Sequence, residues 1–390
     1  MLCFALALPA CCAPSRIVAA RTAVAPVLDG KLNDAVWAKA KESGGFTRIG
    51  RKGLRPQAPT YVKALVSGDS LYIGFRCVEP NMKALKATIR PKNTSVWLDD
   101  SIEVILDPAN TRKQVYHLIV NAAGCQYGVP CKVTALEHAD DQQGWDGKWT
   151  VKAARESGQW TVEIRLPMAV FGIDVNANPC LGIQFARERV GAREESSTWS
   201  PTRMTFANPS GLGEILLPKD NGNYCLLDTA KPLLNMESVP FSVTNSGKTA
   251  IRPRLHFAID GEENASGQVE TGAIAADKKA SGVLPISIKE PGDYHLALKM
   301  VDAVTGECIY TRDQRFVVAP ALAVENLPFS LYANKAQATI TPGLASEKLA
   351  GCVVRASLCK VGSTANIATK TLPCKTGVAT SVAFDLQGQS

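Results

Sequence analysis

The chain has 390 residues, 46% of them hydrophobic and 20% charged, with a formal net charge of +7. That composition lies near the globular average and excludes a disordered, collagen-like or coiled-coil chain. No apolar run reaches the roughly 18 residues of a membrane-spanning helix, and the basic residues are too dispersed, even at Arg48, Arg51, Lys52, Arg55 and Lys63, for a nucleic-acid surface.

In chain order, Leu2–Leu8 is a short apolar run followed by small residues. It reads as the core of a secretory signal, within a signal-like segment over residues 1–20. Two processing routes are open: cleavage after Val18-Ala19-Ala20, or lipid attachment at Cys11, since Leu8-Pro9-Ala10-Cys11 imitates a bacterial lipobox. Both predict a secreted, cell-surface or periplasmic protein.

Strand signals dominate residues 21–217. Tyr61–Val66, Leu71–Val78, Ile102–Leu106, Val115–Asn121, Lys148–Ala154, Trp160–Leu166 and Leu181–Arg187 are short β-rich runs punctuated by Gly, Asn, Asp and Pro. Strands at this spacing predict an antiparallel β-sandwich or barrel. Helical signal is limited to a short helix capped by Asn33-Asp34 and a turn started by Pro167. Pro218–Asn223 reads as a linker. Residues 223–320 then carry a second β-pattern: Phe241–Gly247 runs into a turn, Tyr294–Val301 alternates, and Asp302–Gly306 makes a hairpin-like turn into Ile309–Val318. That suits an immunoglobulin-like sandwich, with residues 321–390 a second, partial one. The fold class is therefore all-β throughout.

Nine cysteines lie beyond the signal-like segment, with no CxxC pair and no zinc-like spacing to His. Export predicts some disulfides. Cys125 with Cys131, across a Gly/Pro-containing turn, and pairs among Cys352, Cys359 and Cys374 are the local candidates.

All six Trp fall in the first 200 residues. Trp37 and Trp160 read as core, and Trp145 and Trp149 as packing in a Gly-rich turn. Trp97 and Glu103 are six apart, so an extended strand points both to one face, together with Asp99 and Ser101. At about 3.3 Å per residue they would lie about 20 Å apart, so they share a ligand only if Trp97 sits on a loop that folds back.

Several pieces recur in order: Pro26-Val-Leu-Asp-Gly-Lys-Leu-Asn-Asp-Ala-Val-Trp37, Leu71–Phe75, Trp97-Leu-Asp-Asp-Ser-Ile-Glu-Val-Ile-Leu-Asp107, Val120–Gly124, Trp160–Pro167, Phe185–Arg187, Trp199-Ser-Pro201 and Gly213–Leu216. Their order and spacing over residues 26–217 resemble carbohydrate-binding module family 9. The resemblance implies a β-sandwich that binds a polysaccharide or oligosaccharide non-catalytically, with no cofactor required. It implies that Trp97 and Trp199 clamp the sugar while Glu103 and Arg187, with Arg189 as the next candidate, bond its hydroxyls. An Arg that some members carry before the Asn-x-x-Gly turn is absent, since His117 or Ile119 occupies that region. Some members hold structural calcium, for which Asp29 is the matching ligand.

Sugar capture suits these residue types. A flat indole covers the apolar face of a pyranose at little entropic cost, and charged groups bond its hydroxyl rim. Three rival functions were weighed. Asp99, Asp100 and Glu103 cluster as in a glycosidase, but hydrolysis needs two carboxylates facing each other across a bond. A haem domain needs axial ligands, for which only His117, His138, His256, His295 and six Met are available. A purely structural surface protein leaves Trp97 and Trp199 without a purpose. The reading is an exported carbohydrate-binding protein, part of a polysaccharide-degradation system, with the later β-modules as spacers.

Overall fold

A computed structural model describes residues 14–386, apart from 52, 136–137, 143–144, 146, 203–204, 221, 327–334, 345 and 360–365. Most of the signal-like segment, including Cys11, lies outside the described residues. The first region contains β1 (Arg16–Val18), β2 (Ala20–Arg21), β3 (Thr47–Arg48), β4 (Thr60–Ser67), β5 (Ser70–Val78), β6 (Ser101–Asp107) and β7 (Gln114–Asn121). It continues with β8 (Gln126–Ala135), β9 (His138–Asp141), β10 (Thr150–Glu156), β11 (Gln159–Pro167), β12 (Cys180–Arg189), β13 (Glu195–Thr198) and β14 (Gly213–Leu216). Two sheets form from them. The larger runs β1-β14-β12-β6-β7-β8-β9, with β13 and β3 attached beside β12, and the smaller runs β10-β11-β5-β4-β2.

Strand alternation explains the sandwich. Val104, Leu106, Leu118, Val120, Ile183 and Phe185 from the larger sheet meet Val62, Ala64, Ile73, Phe75, Val162 and Ile164 from the smaller in one buried core. Burying each such side chain contributes on the order of 2 kcal/mol. The outer face of the smaller sheet is covered by the segment through Trp37, which packs with Leu65 and Tyr72. Glu163 fastens that cover, accepting bonds from the Trp37 indole at 2.9 Å and from the backbone N–H groups of Asp29 and Gly30. Gly30 sits at φ +93°, and a Cβ there would meet the Ala153 backbone at 2.6 Å. Only glycine closes this turn.

The expected disulfides and the expected helix cap are corrected. Arg16–Val18 forms a strand paired in parallel with β14, with Ile17 in the core and Arg16 bonded to Glu214 at 2.7 Å and Asp228 at 2.6 Å. Among the described residues every cysteine is a free thiol. Cys125 and Cys131 do not flank a turn, because Gln126–Ala135 continues as one strand through Gly128 and Pro130. The short helix after Asp34 is a 3-10 turn, Ala35–Lys39, and Asp34 makes no side-chain cap.

Beyond the linker, a three-stranded sheet (Cys225–Thr229, Val239–Asn245, Lys279–Leu284) and a four-stranded sheet (Ala265–Glu270, Pro253–Asp260, Gly292–Asp302, Cys308–Val318) enclose a second core around Phe241, Leu255, Phe257, Leu298 and Tyr310. Glu214 couples the two regions, receiving Arg16 from one side and Arg312 and the Tyr310 hydroxyl from the other. The last strands form a three-stranded and a two-stranded sheet over a small core of Ile340, Val382 and Phe384.

Candidate functional site

The larger sheet has a second face, turned away from the sandwich core. Its strands β6, β7 and β8 put Ile105, Val115, Val129 and Cys131 into an apolar patch with Leu212, against which Tyr127 and Phe206 pack. Beside it opens a groove of about 410 Å³ lined by Trp97, Glu103, His117, Tyr127, Glu188 and Phe206, among others. A larger cavity of about 450 Å³ lies at the junction of the two β-regions, near Glu214 and Arg312. It holds none of the expected site residues.

Trp97 is brought to the groove by the 3-10 turn Val96–Leu98, which folds back just before β6. Its ring remains 39% exposed. Tyr127 braces it edge-on, with ring centroids 5.2 Å apart. Such a pair contributes about 1 kcal/mol beyond its buried area and holds the indole in one orientation. Phe206, on the segment after β13, lines the same groove, so Trp97, Tyr127 and Phe206 bound the space.

The polar side of the groove comes from facing strand positions. Glu103 on β6 pairs across the ladder with Ile119 and with Ala186. Its Oε2 lies 2.6 Å from His117 Nε2. Burial works against a charged His117 ring, but the Glu103 carboxylate outweighs it and the pKa moves up. Glu188 accepts both its bonds from the Ser196 hydroxyl, at 2.9 and 2.8 Å. Burial first, and then the nearby acids, push its pKa up despite the Ser196 bond. A groove with three aromatic rings, three carboxylates and an imidazole can stack on an apolar ring face and bond hydroxyls at its edge.

The other expected residues lie elsewhere. Trp199 does not face Trp97. It is 4% exposed, packs against Phe185 with centroids 5.2 Å apart, and donates its indole N–H to Ser43 at 2.9 Å. A ring so enclosed cannot clamp a ligand. Arg187 also points inward. It is 1% exposed, donates to the Ala58 and Val78 carbonyls, and meets Glu79 at 3.3 Å. Arg189 completes the pair on Glu79 at 2.7 and 2.8 Å. Their partner is thus Glu79, and both act inside the sandwich.

Asp99 and Asp100 are spent on structure as well. Asp99 accepts the backbone N–H groups of Thr88 and Ile89, and Asp100 those of Lys86 and Gly191. Asp29 is exposed, and its Oδ1 accepts the Lys31 N–H. Among the described residues no three-donor group of His, Cys and acid side chains forms around it. Trp145 packs against Tyr116 and Phe171, and Trp149 is buried in the core.

Tyr127, Phe206, Glu188 and His117 were not singled out as ligand contacts by the sequence. For His117 the signal was present: it alternates with Ile119 on a strand, and Ile119 stands opposite Glu103.

Comparison with known proteins gives a family for this region. The sequence profile of the carbohydrate family 9 binding domain-like family matches residues 28–220. A carbohydrate-binding module family 9 domain from Caldicellulosiruptor kristjanssonii, solved with glucose, covers 53% of this chain and 98% of its own at 19% identity and a TM-score of 0.40. The same organism's domain with cellotriose gives 20% identity over 53% of this chain and 96% of its own, also at a TM-score of 0.40. A Bacteroides uniformis protein described as carbohydrate-binding aligns over 53% of this chain and all of its own, at 15% identity and a TM-score of 0.42. A search of curated proteins returns no match. Among the described residues, no helix is long and apolar enough to cross a membrane.

Proposed function

Since residues 28–220 form a member of the carbohydrate family 9 binding domain-like family, we propose that this chain binds a saccharide, without cleaving it, in the groove between Trp97 and Phe206. The observation that carries this reading is Trp97 itself. A large indole left 39% exposed, braced edge-on by Tyr127 and beside Glu103 and Glu188, presents apolar surface to the groove. A pyranose ring stacked on Trp97 would set its hydroxyls within reach of Glu103, His117 and Glu188. The site is an open groove rather than a closed chamber, which suits a chain segment or chain end.

The finer reading is an exported protein of a polysaccharide-degrading system. The apolar run Leu2–Leu8 supports export. The following β-regions then act as spacers, and tethering raises the local concentration of a partner enzyme on its substrate.

Calorimetric titration of the full chain with a panel of oligosaccharides, glucose and cellotriose among them, tests the binding. Saturable binding by the native chain and at least a tenfold loss in Trp97→Ala are expected, with far-UV circular dichroism and a cooperative urea transition retained. Undiminished affinity in Trp97→Ala would refute the groove, and release of reducing sugar by the native chain would refute the non-catalytic reading.

A further inference from the structure

One side of the groove continues into a cluster that shares only His117 with the proposed sugar contacts. His117 on β7, Cys131 on β8 and Asp141 on β9 each present a donor atom, and the three atoms lie within 4.8 Å of one another. The register explains the convergence. Cys131 pairs directly with Asp141, and His117 pairs with Val129, two residues from Cys131 on the same face. Cys131 Sγ is already 3.2 Å from Asp141 Oδ1.

The cluster is graded from buried to open. Cys131 is 1% exposed within the apolar patch, His117 is partly buried, and Asp141 is exposed on the last strand of the sheet. A cysteine serving only as a small apolar filler has no use for a carboxylate set against its sulfur. The imidazole is held as well. Glu103 engages the ring through Nε2 at 2.6 Å. A carboxylate on one ring nitrogen with a metal on the other is the usual way a ligating His is oriented.

We propose that His117, Cys131 and Asp141 bind a borderline divalent cation of the zinc type, with Glu103 as the positioning residue for His117. The donor set selects the metal. Thiolate and imidazole suit zinc and its neighbours, whereas calcium and magnesium take oxygen ligands. Donors around a tetrahedral zinc lie about 3.5 Å apart, given bonds of about 2.0–2.3 Å, so the cluster needs only a small contraction. Asp141, the exposed member, can supply it by side-chain rotation. On binding, the Cys131 S–H bond is replaced by a sulfur–metal bond, and the proton passes to solvent. Three protein ligands leave a fourth position open toward the groove, the pattern of an accessible site rather than a closed structural one.

Cobalt(II) is the probe, added to the full reduced chain in the absence of any sugar. The expected result is a sulfur-to-cobalt charge-transfer band with tetrahedral d–d absorption, saturating at one equivalent and reversed by zinc. Cys131→Ser abolishes the charge-transfer band, and Asp141→Asn weakens binding at least tenfold. Glu103→Gln weakens it about 10- to 100-fold. Replacing the three cysteines Cys352, Cys359 and Cys374 by Ser leaves the band in place. Asp141→Asn lies on an exposed edge strand, so it carries the test if Cys131→Ser fails to fold. The proposal is overturned if no saturating band forms, if the band survives Cys131→Ser, or if it disappears with the three C-terminal cysteines. Sugar binding is measured separately, so failure of the metal site leaves the groove reading intact, and the reverse also holds.

Discussion

Glu103 and Arg187 sit on neighbouring strands, where Glu103 pairs with Ala186 and Arg187 with Ile102. One step along the ladder separates them, yet they serve opposite faces of the sheet. On the inner face, Arg187 and Arg189 close on Glu79, which has no exposed side-chain surface, and Arg187 also lies over the Trp160 ring at 5.8 Å. Every charge there is consumed by another protein group. On the outer face, Glu103, His117 and Glu188 stand beside exposed aromatic surface, and their bonds leave carboxylate lone pairs turned to a groove. Side-chain chemistry alone does not distinguish a structural ion pair from a ligand site. Which face the strand presents decides it.

The sharpest way to break this contrast is on the inner face. Glu79→Ala strands two buried guanidinium groups and is expected to cost about 3–5 kcal/mol of stability, read as a lowered urea midpoint. Burial opposes the ionised carboxyl, but the Arg189 bonds outweigh it and hold the Glu79 pKa below its ordinary 4.5. Its stabilisation is therefore present above that pH and lost as the pH falls below it. Trp199→Ala comes next, at about 3 kcal/mol or more from an enclosed cavity. If folded Trp199→Ala instead kept its stability and lost sugar affinity, the placement of that ring in the core would be wrong.

Much of this was legible in the sequence. The strand runs from Tyr61 to Arg187 were readable because they are short, rich in aliphatic, β-branched and aromatic residues, and bounded by turn residues. Arg187 could have been placed as well, since it shares its parity with Ile183 and Phe185, both core residues. Trp199 could not, because what encloses it is non-local: its indole bonds Ser43, 156 positions away. The same holds for β1, whose partner strand β14 lies near residue 214. Tyr127 and Phe206 join the groove only through the lateral order β6-β7-β8 and the course of the chain after β13. Pairing order is set by the whole sheet and leaves no local mark on either residue.

On the outer face the expected effects move from stability to binding. Trp97→Ala should lose about 1–3 kcal/mol of sugar affinity, the range for stacking on an aromatic platform, with a stability change under about 1 kcal/mol. Phe206→Ala should weaken affinity several-fold, a smaller effect because Phe206 also packs against the apolar patch. Calorimetry and chemical denaturation on the same two variants separate the readouts. Equal losses of stability on both faces would erase the contrast.

The smallest effect is the most diagnostic. Glu188 is held with a pKa above 4.5, by burial first and by the proximity of Glu103, Glu194 and Asp100. A carboxyl whose pKa rises on folding binds protons more readily in the folded state, so it costs stability at neutral pH and stops doing so as the pH falls to 4.5. Glu188→Gln should therefore raise the Tm at pH 7 by about a degree, with the gain disappearing near pH 4. Gln keeps an oxygen to accept from Ser196 while it removes the crowded charge. The same variant should bind sugar more weakly, since a carboxylate accepts a hydroxyl proton more strongly than an amide does. A group that costs stability at neutral pH and contributes to affinity is the signature of a site held ready for a ligand. Glu79 on the inner face should show the reverse, with stability lost on substitution and affinity changed only through the fold.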